Sequence, residues 1–220
     1  MAKCVIFCAA EFDSLAQPLE KEDMIIAADG GLRHLQELGV TPNVILGDFD
    51  SLGYIPEGAN VFPVEKDDTD AMLAIRHGLK LGFQQFIIYG GMGGSRPDHT
   101  VANLQALQYL AEHGARGYLV GKDHLVTAMK EETIVFPPSA EGILSVFCMG
   151  SDAEGVTLEG LKYSLTAGAL TSSFPLGASN HFTGQTASVT VKKGCVLLFW
   201  ERKNGFPSAI PCDHSYKEVL

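Results

Sequence analysis

The sequence predicts an α/β fold in two parts: an N-terminal, mostly parallel sheet with flanking helices (Rossmann-like), followed by a C-terminal antiparallel β-sandwich or barrel. Two observations carry this. Through the first 120 or so residues, short apolar runs alternate with segments of helical periodicity. Beyond about residue 125 the segments become short, β-rich and separated by glycines, and no convincing helix follows. The boundary is expected within residues 121–130, dividing the chain into residues 1–125 and 126–220.

The strand candidates of the first part are residues 4–9, 24–28, 43–47, 60–64, 85–89 and 117–120. Helical patterns lie between several of them, at 31–38, 70–81 and 99–113, the last with Val101, Leu104, Leu107 and Leu110 read as one face. Strands alternating with helices argue for parallel pairing with the helices packed on the sheet faces. In the second part the candidates are 125–129, 132–136, 143–148, 155–161, 187–191 and 195–200. Ser188-Val189-Thr190-Val191 alternates polar with apolar, as a half-buried strand does. The stretch from Asn204 to Leu220 carries no pattern that assigns it, and Trp200 fits either a core or a ligand-stacking role.

Composition bounds the function. The chain has 220 residues, 46% hydrophobic and 19% charged, with a formal net charge of -10. No Lys/Arg cluster stands out, which argues against nucleic acid and against an anionic membrane surface. An acidic protein that binds a polyanion must recruit a cation. The N-terminal apolar run stops at Ala10, too short for a signal peptide or a membrane span. Cys4, Cys8, Cys148, Cys195 and Cys212 are odd in number and not spaced for zinc, so free thiols in a reducing cytoplasm are expected.

Acidic residues cluster at two strand ends. Gly47-Asp48-Phe49-Asp50-Ser51 follows the run Val44-Ile45-Leu46. Open parallel sheets bind ligands beyond the carboxyl ends of their strands. In an extended chain Asp48 and Asp50 share a side, and their repulsion is relieved by a divalent cation. Mg²⁺ suits such a set, because it takes oxygen ligands and keeps positions for substrate phosphates. Lys66-Asp67-Asp68-Thr69-Asp70 precedes the second helix. Capping explains one or two of these residues but not three carboxylates in four positions. Asp70 is therefore expected as a third ligand. Asp67 is a cap or an outer contact, and Lys66 binds phosphate or neutralises its neighbours.

A glycine-rich turn, Gly90-Gly91-Met92-Gly93-Gly94-Ser95-Arg96-Pro97-Asp98-His99, opens the third helix. Its backbone N–H groups and the helix N-terminus suit phosphate. It is neither a P-loop nor a dinucleotide fingerprint. Arg96 is the group able to grip phosphate with two prongs, and Pro97 keeps it extended. Asp98 reads either as an N-cap or as a carboxylate facing the metal or the attacking group. His99 reads as structural. Asp29, in Ala28-Asp29-Gly30-Gly31, either caps the first helix or lines the same cleft.

Taken together, these elements resemble the thiamine pyrophosphokinase family. The motifs occur in order: Asp29-Gly30-Gly31, Gly47-Asp48-Phe49-Asp50-Ser51, Lys66-Asp67-Asp68-Thr69-Asp70, and Gly90 through Asn103. The likeness continues through Gly160-Leu161-Lys162-Tyr163-Ser164-Leu165, Ser179-Asn180 and Gly194. It implies transfer of the β,γ-pyrophosphoryl group of ATP to the thiamine hydroxyl, giving thiamine diphosphate and AMP. It also implies an ATP- and Mg²⁺-binding first domain, a thiamine-binding second domain, and a homodimer with thiamine where the subunits meet. Asp48, Asp50 and Asp70 become Mg²⁺ ligands, and Arg96 and Thr69 become ATP contacts. Asp98 stands at the metal and the thiamine hydroxyl, and Ser179 and Asn180 on the thiamine side. The chain departs from many relatives in carrying Ala9-Ala10-Glu11 where a glycine often follows the first strand.

Three other functions compete: a pyrophosphokinase for a pterin-type alcohol, a catalytically silent nucleotide or thiamine sensor, and a Mg²⁺-dependent nucleotide hydrolase. The intact carboxylate set argues against the sensor, and the GLKY and Ser-Asn segments favour thiamine over a pterin.

Overall fold

The computed structural model describes residues 2–49, 53–61 and 68–211. Asp50, Ser51, Lys66, Asp67 and Cys212 lie outside the described residues, as do the ends of the 60–64 strand candidate and of the C-terminal stretch. The chain divides into two compact units, Met1–Thr127 and Ala128–Leu220.

Unit 1 is built on β1 (Cys4–Phe7), β2 (Met24–Ala28), β3 (Val44–Gly47), β4 (Asn60–Val61), β5 (Gln85–Tyr89), β6 (Arg116–Val120) and β7 (His124–Lys130), within which the unit boundary falls. The strands run in the order β7-β6-β5-β1-β2-β3-β4. Every pairing from β6 to β4 is parallel, and β7 pairs antiparallel with β6. The order reverses at β1: β2 to β4 extend on one side of it, β5 and β6 on the other. That reversal opens a crevice at the carboxyl ends of β1 and β5, where ligands of open α/β sheets bind. The central strands read as continuous apolar runs because both faces are covered, and β1 is fully buried along its length.

The helices are α1 (Leu32–Glu37), α2 (Asp70–Lys80) and α3 (Pro97–Glu112). A 3₁₀ turn, Asp29–Gly31, precedes α1, so the regular helix is shorter than the 31–38 expected. α3 starts at Pro97, two residues before the predicted start, because proline suits the first helical position. Its buried stripe is Asn103, Ala106, Leu107 and Leu110. Val101 is 53% exposed and lies off that stripe, unlike the face read from the sequence. The aliphatic pattern misplaced the stripe because its centre includes a polar residue, Asn103, whose amide donates to the Gly91 carbonyl at 2.8 Å.

Unit 2 contains two sets of antiparallel strands. One has the order β12-β9-β14, formed by β9 (Ile143–Cys148), β12 (Gly177–His181) and β14 (Cys195–Glu201). The other has the order β11-β10-β13-β8-β15, formed by β8 (Glu132–Phe136), β10 (Ala153–Glu159), β11 (Leu165–Leu170), β13 (Ala187–Thr190) and β15 (Ser208–Pro211). Trp200 of β14 is fully buried, with its ring edge-on to Phe136 of β8 at 5.5 Å, so it belongs to the core. Cys4, Cys8 and Cys148 are free thiols. Among the described residues, no helix is long and apolar enough to cross a membrane.

Candidate active site

Three carboxylates converge from separate parts of unit 1. Asp29 follows β2, Asp48 follows β3, and Asp70 opens α2; each offers an oxygen within 4.8 Å of the others. Asp29 is only 9% exposed and adopts a left-handed backbone, φ +47°. Two full negative charges at such a spacing repel by about 3 kcal/mol at an effective dielectric near 20. The trio therefore asks for a cation. Its donors are all oxygen, which matches a hard divalent ion such as Mg²⁺.

The trio sits in a cleft of about 660 Å³ whose wall is shared by the Cys8–Glu11 turn after β1, by Thr69, and by the loop from Gly90 to Arg96 after β5. The loop follows the β1 turn closely. The Ala10 N–H donates to the Gly90 carbonyl at 2.9 Å, and a side chain at Gly90, φ +63°, would meet the Cys8 carbonyl at 2.2 Å. Close approach in this crevice is thus supplied by the glycine after β5, although Ala9 and Ala10 occupy the turn after β1. Asn103 holds the loop from below through the Gly91 carbonyl. Burial pushes the Cys8 thiol up to about 12, with the nearby Asp70 charge adding to the effect.

Thr69 caps α2, its Oγ1 accepting from the Met72 N–H at 3.2 Å, which leaves the hydroxyl hydrogen for another acceptor. Arg96 lies at the N-cap position of α3 but makes no side-chain cap. Asp98 sits in the first turn rather than at the cap and is outside the trio. Arg96 Nε and Nη2 donate to its carboxylate at 3.0 and 2.7 Å. That hydrogen-bonded guanidinium holds the Asp98 carboxyl down at about 2. His99 lines the cleft.

Ser179 and Asn180 lie on β12 in unit 2. Ser179 is exposed with φ +57°. Asn180 is buried, and its amide bonds to backbone: Oδ1 accepts from Tyr163 N–H and His181 N–H, each at 2.9 Å, and Nδ2 donates to the Tyr163 carbonyl at 2.7 Å. Asn180 thereby ties the Lys162–Tyr163 turn to β12.

Sequence reasoning missed His34. Its Nε2 lies 2.8 Å from the Ala10 carbonyl, which can only accept, so the ring donates there and fixes the turn after β1. A single His in a short helical pattern gives no signal of this. Asp29 was left between a cap and a cleft residue, and the structure brings it into the trio.

An open parallel sheet with a carboxylate trio and an arginine-bearing glycine loop at its switch point places the chain in the class of α/β proteins built to handle phosphate groups. Known proteins narrow this. The family model described as thiamin pyrophosphokinase, catalytic domain, matches residues 15–119, and that described as thiamin pyrophosphokinase, vitamin B1 binding domain, matches residues 131–196. A thiamine pyrophosphokinase from Bacillus subtilis (strain 168) is 27% identical over 195 residues, 81% of this chain and 87% of that protein. The crystal structure of thiamine pyrophosphokinase from Bacillus subtilis superposes with a TM-score of 0.76 at 23% identity, covering 91% of this chain and 99% of that one. That of a thiamin pyrophosphokinase family protein from Enterococcus faecalis gives 0.73 at 25% identity, covering 91% and 98%. The chain belongs to the thiamine pyrophosphokinase family, and thiamine pyrophosphokinase activity is its function.

Proposed function

We propose that unit 1 binds ATP with Mg²⁺, that residues of unit 2 bind thiamine, and that the β,γ-pyrophosphoryl group passes from ATP to the thiamine hydroxyl. The observation that carries the site assignment is the convergence of Asp29, Asp48 and Asp70 in the cleft lined by the Gly90–Arg96 loop. Asp48 and Asp70 hold the cation, Asp29 joins them, and Asp50 is added on its D-x-D spacing with Asp48. The bound cation supplies charge neutralisation on the phosphate oxygens.

The chain's own groups do the rest. Loop N–H groups and the start of α3 cradle phosphate oxygens, and the Thr69 hydroxyl donates to one. Arg96 steadies the negative charge that develops as the Pα–O–Pβ bridge breaks and AMP departs. The thiamine oxygen forms the new bond to Pβ as the Pβ–O bond to the departing AMP breaks, and its proton passes to solvent water. Asp98, with its carboxyl held low by Arg96, is a weak base, and its part is to accept a hydrogen bond from the hydroxyl and orient it. Loose phosphoryl transition states need positioning more than proton abstraction. The Ser179 region lies on the thiamine side, with Asn180 shaping its backbone. The working form is a cytoplasmic homodimer with thiamine where the subunits meet; the exposed apolar side chains Tyr163, Phe174 and Leu176 of unit 2 support an interface.

The test is thiamine-dependent AMP formation from ATP and Mg²⁺. Asp48→Asn and Asp70→Asn should each abolish it while circular dichroism stays native. Near-normal turnover of either variant at saturating Mg²⁺ would refute the ligand assignment.

A further inference from the structure

We propose that Phe49 is the positioning residue of the carboxylate trio: its buried ring fixes a left-handed turn at the end of β3 that aims Asp48 at Asp29 and Asp70. This rests on reading the trio as a divalent-cation site.

Phe49 has φ +61° and is 2% exposed. A bulky side chain rarely occupies the left-handed region, and a residue stays there only where its surroundings hold it. Here they do so from two directions. Burial seats the ring in the apolar interior of unit 1, and the Phe49 carbonyl accepts from the Gly53 N–H at 3.2 Å. Glycine or asparagine is the ordinary occupant of such a turn, but neither brings an anchor.

Phe49 is seated in the interior while its neighbour Asp48 lines the cleft, so the backbone conformation held at residue 49 sets where the Asp48 carboxylate points. The strand end is also pressed against its neighbour. Gly47 has φ +151°, and a side chain there would meet the Asp29 Cα at 3.0 Å. Gly47 allows the approach of Asp48 to Asp29, and Phe49 fixes its direction. An anchor of this kind holds two like charges together before any cation arrives.

Mn²⁺ serves as the probe, its free fraction read by electron paramagnetic resonance well below the melting temperature. Phe49→Leu keeps an apolar anchor and should bind Mn²⁺ nearly as the parent does. Phe49→Val is β-branched and resists the left-handed backbone, and Phe49→Ala removes the ring. Each should weaken Mn²⁺ binding by about 10- to 100-fold, the range for losing a residue that orients a metal ligand. Leu110→Ala, a buried truncation at the far end of α3, should lower the melting temperature and leave Mn²⁺ affinity unchanged. Parent-like affinity in folded Val and Ala variants overturns the positioning role while the metal site stands. If the Ala variant does not fold, equal affinity of the Val and Leu variants overturns it. Absence of Mn²⁺ binding by the parent overturns the metal-site reading, and this inference with it.

Discussion

Arg96 and Asp98 meet in a two-pronged ion pair at the start of α3. Arg96 lowers the folded pKa of Asp98 to about 2, below the usual carboxylate value of about 3.9. The pair is therefore intact above that usual value and is lost only as the pH falls through about 2. Both side chains are exposed, so the pairing contributes little stability; what it provides is a preset direction for the guanidinium. In Arg96→Gln the Asp98 titration should rise toward about 3.9 by carboxyl-carbon NMR. Catalytic efficiency should fall by about 2–4 kcal/mol of transition-state stabilisation. An unmoved midpoint would contradict the pairing, and unchanged kcat/KM the phosphate role. At this scale the sequence was legible where chemistry and position coincide. Asp48 and Asp70 stand at element ends with too many carboxylates for capping alone. Asp29 was not separable from a cap, because a 3₁₀ turn and the first turn of a helix look alike in one dimension. Asn180 shows another side of this: its hydrogen bonds to the Tyr163 and His181 backbone come from the β12 placement and carry no sequence signal.

The elements that form the site are legible for a related reason. β1 is buried along its whole length and β2, β3 and β5 towards their carboxyl ends, so these strands appear as largely apolar runs. β11, β12 and β15 were missed. β11 is Leu-Thr-Ala-Gly-Ala-Leu, small and largely exposed; β12 has a register shift against β9; β15 ends in proline. Each owes its pairing to neighbours rather than to propensity. The site's geometry depends most on the junction of β1 and β5, where Gly90 lies against Cys8. Gly90→Ala adds a left-handed strain and a backbone clash, and should cost about 3 kcal/mol or more. Urea unfolding measures this, and a loss below about 1 kcal/mol would mean that the turn after β1 yields easily.

The whole molecule carries a net charge of -10, and the nucleotide proposed as its substrate is an anion. The field would oppose approach of Mg²⁺-bound ATP, and inert salt weakens that field as the screening length falls from about 30 Å at 0.01 M to about 8 Å at 0.15 M. The nucleotide KM should therefore fall over this range. A rise would show that Arg96 and the helix N-terminus outweigh the global charge. The division into two units was legible from the change of pattern near residue 125, since periodicity responds directly to helix or strand; the order of strands was not, because pairing is set by packing between distant segments. That order has a consequence for how the chain matures. The trio and its loop come from the ends of β2, β3 and β5 and the start of α2, and adjacent parallel strands meet only after a long crossover has closed. In the unfolded chain the members of the trio are scattered, and only the short local acidic clusters are left to meet the cation. Ligand affinity thus accrues mainly to the finished fold, and its excess over what the unfolded chain binds counts toward holding that fold.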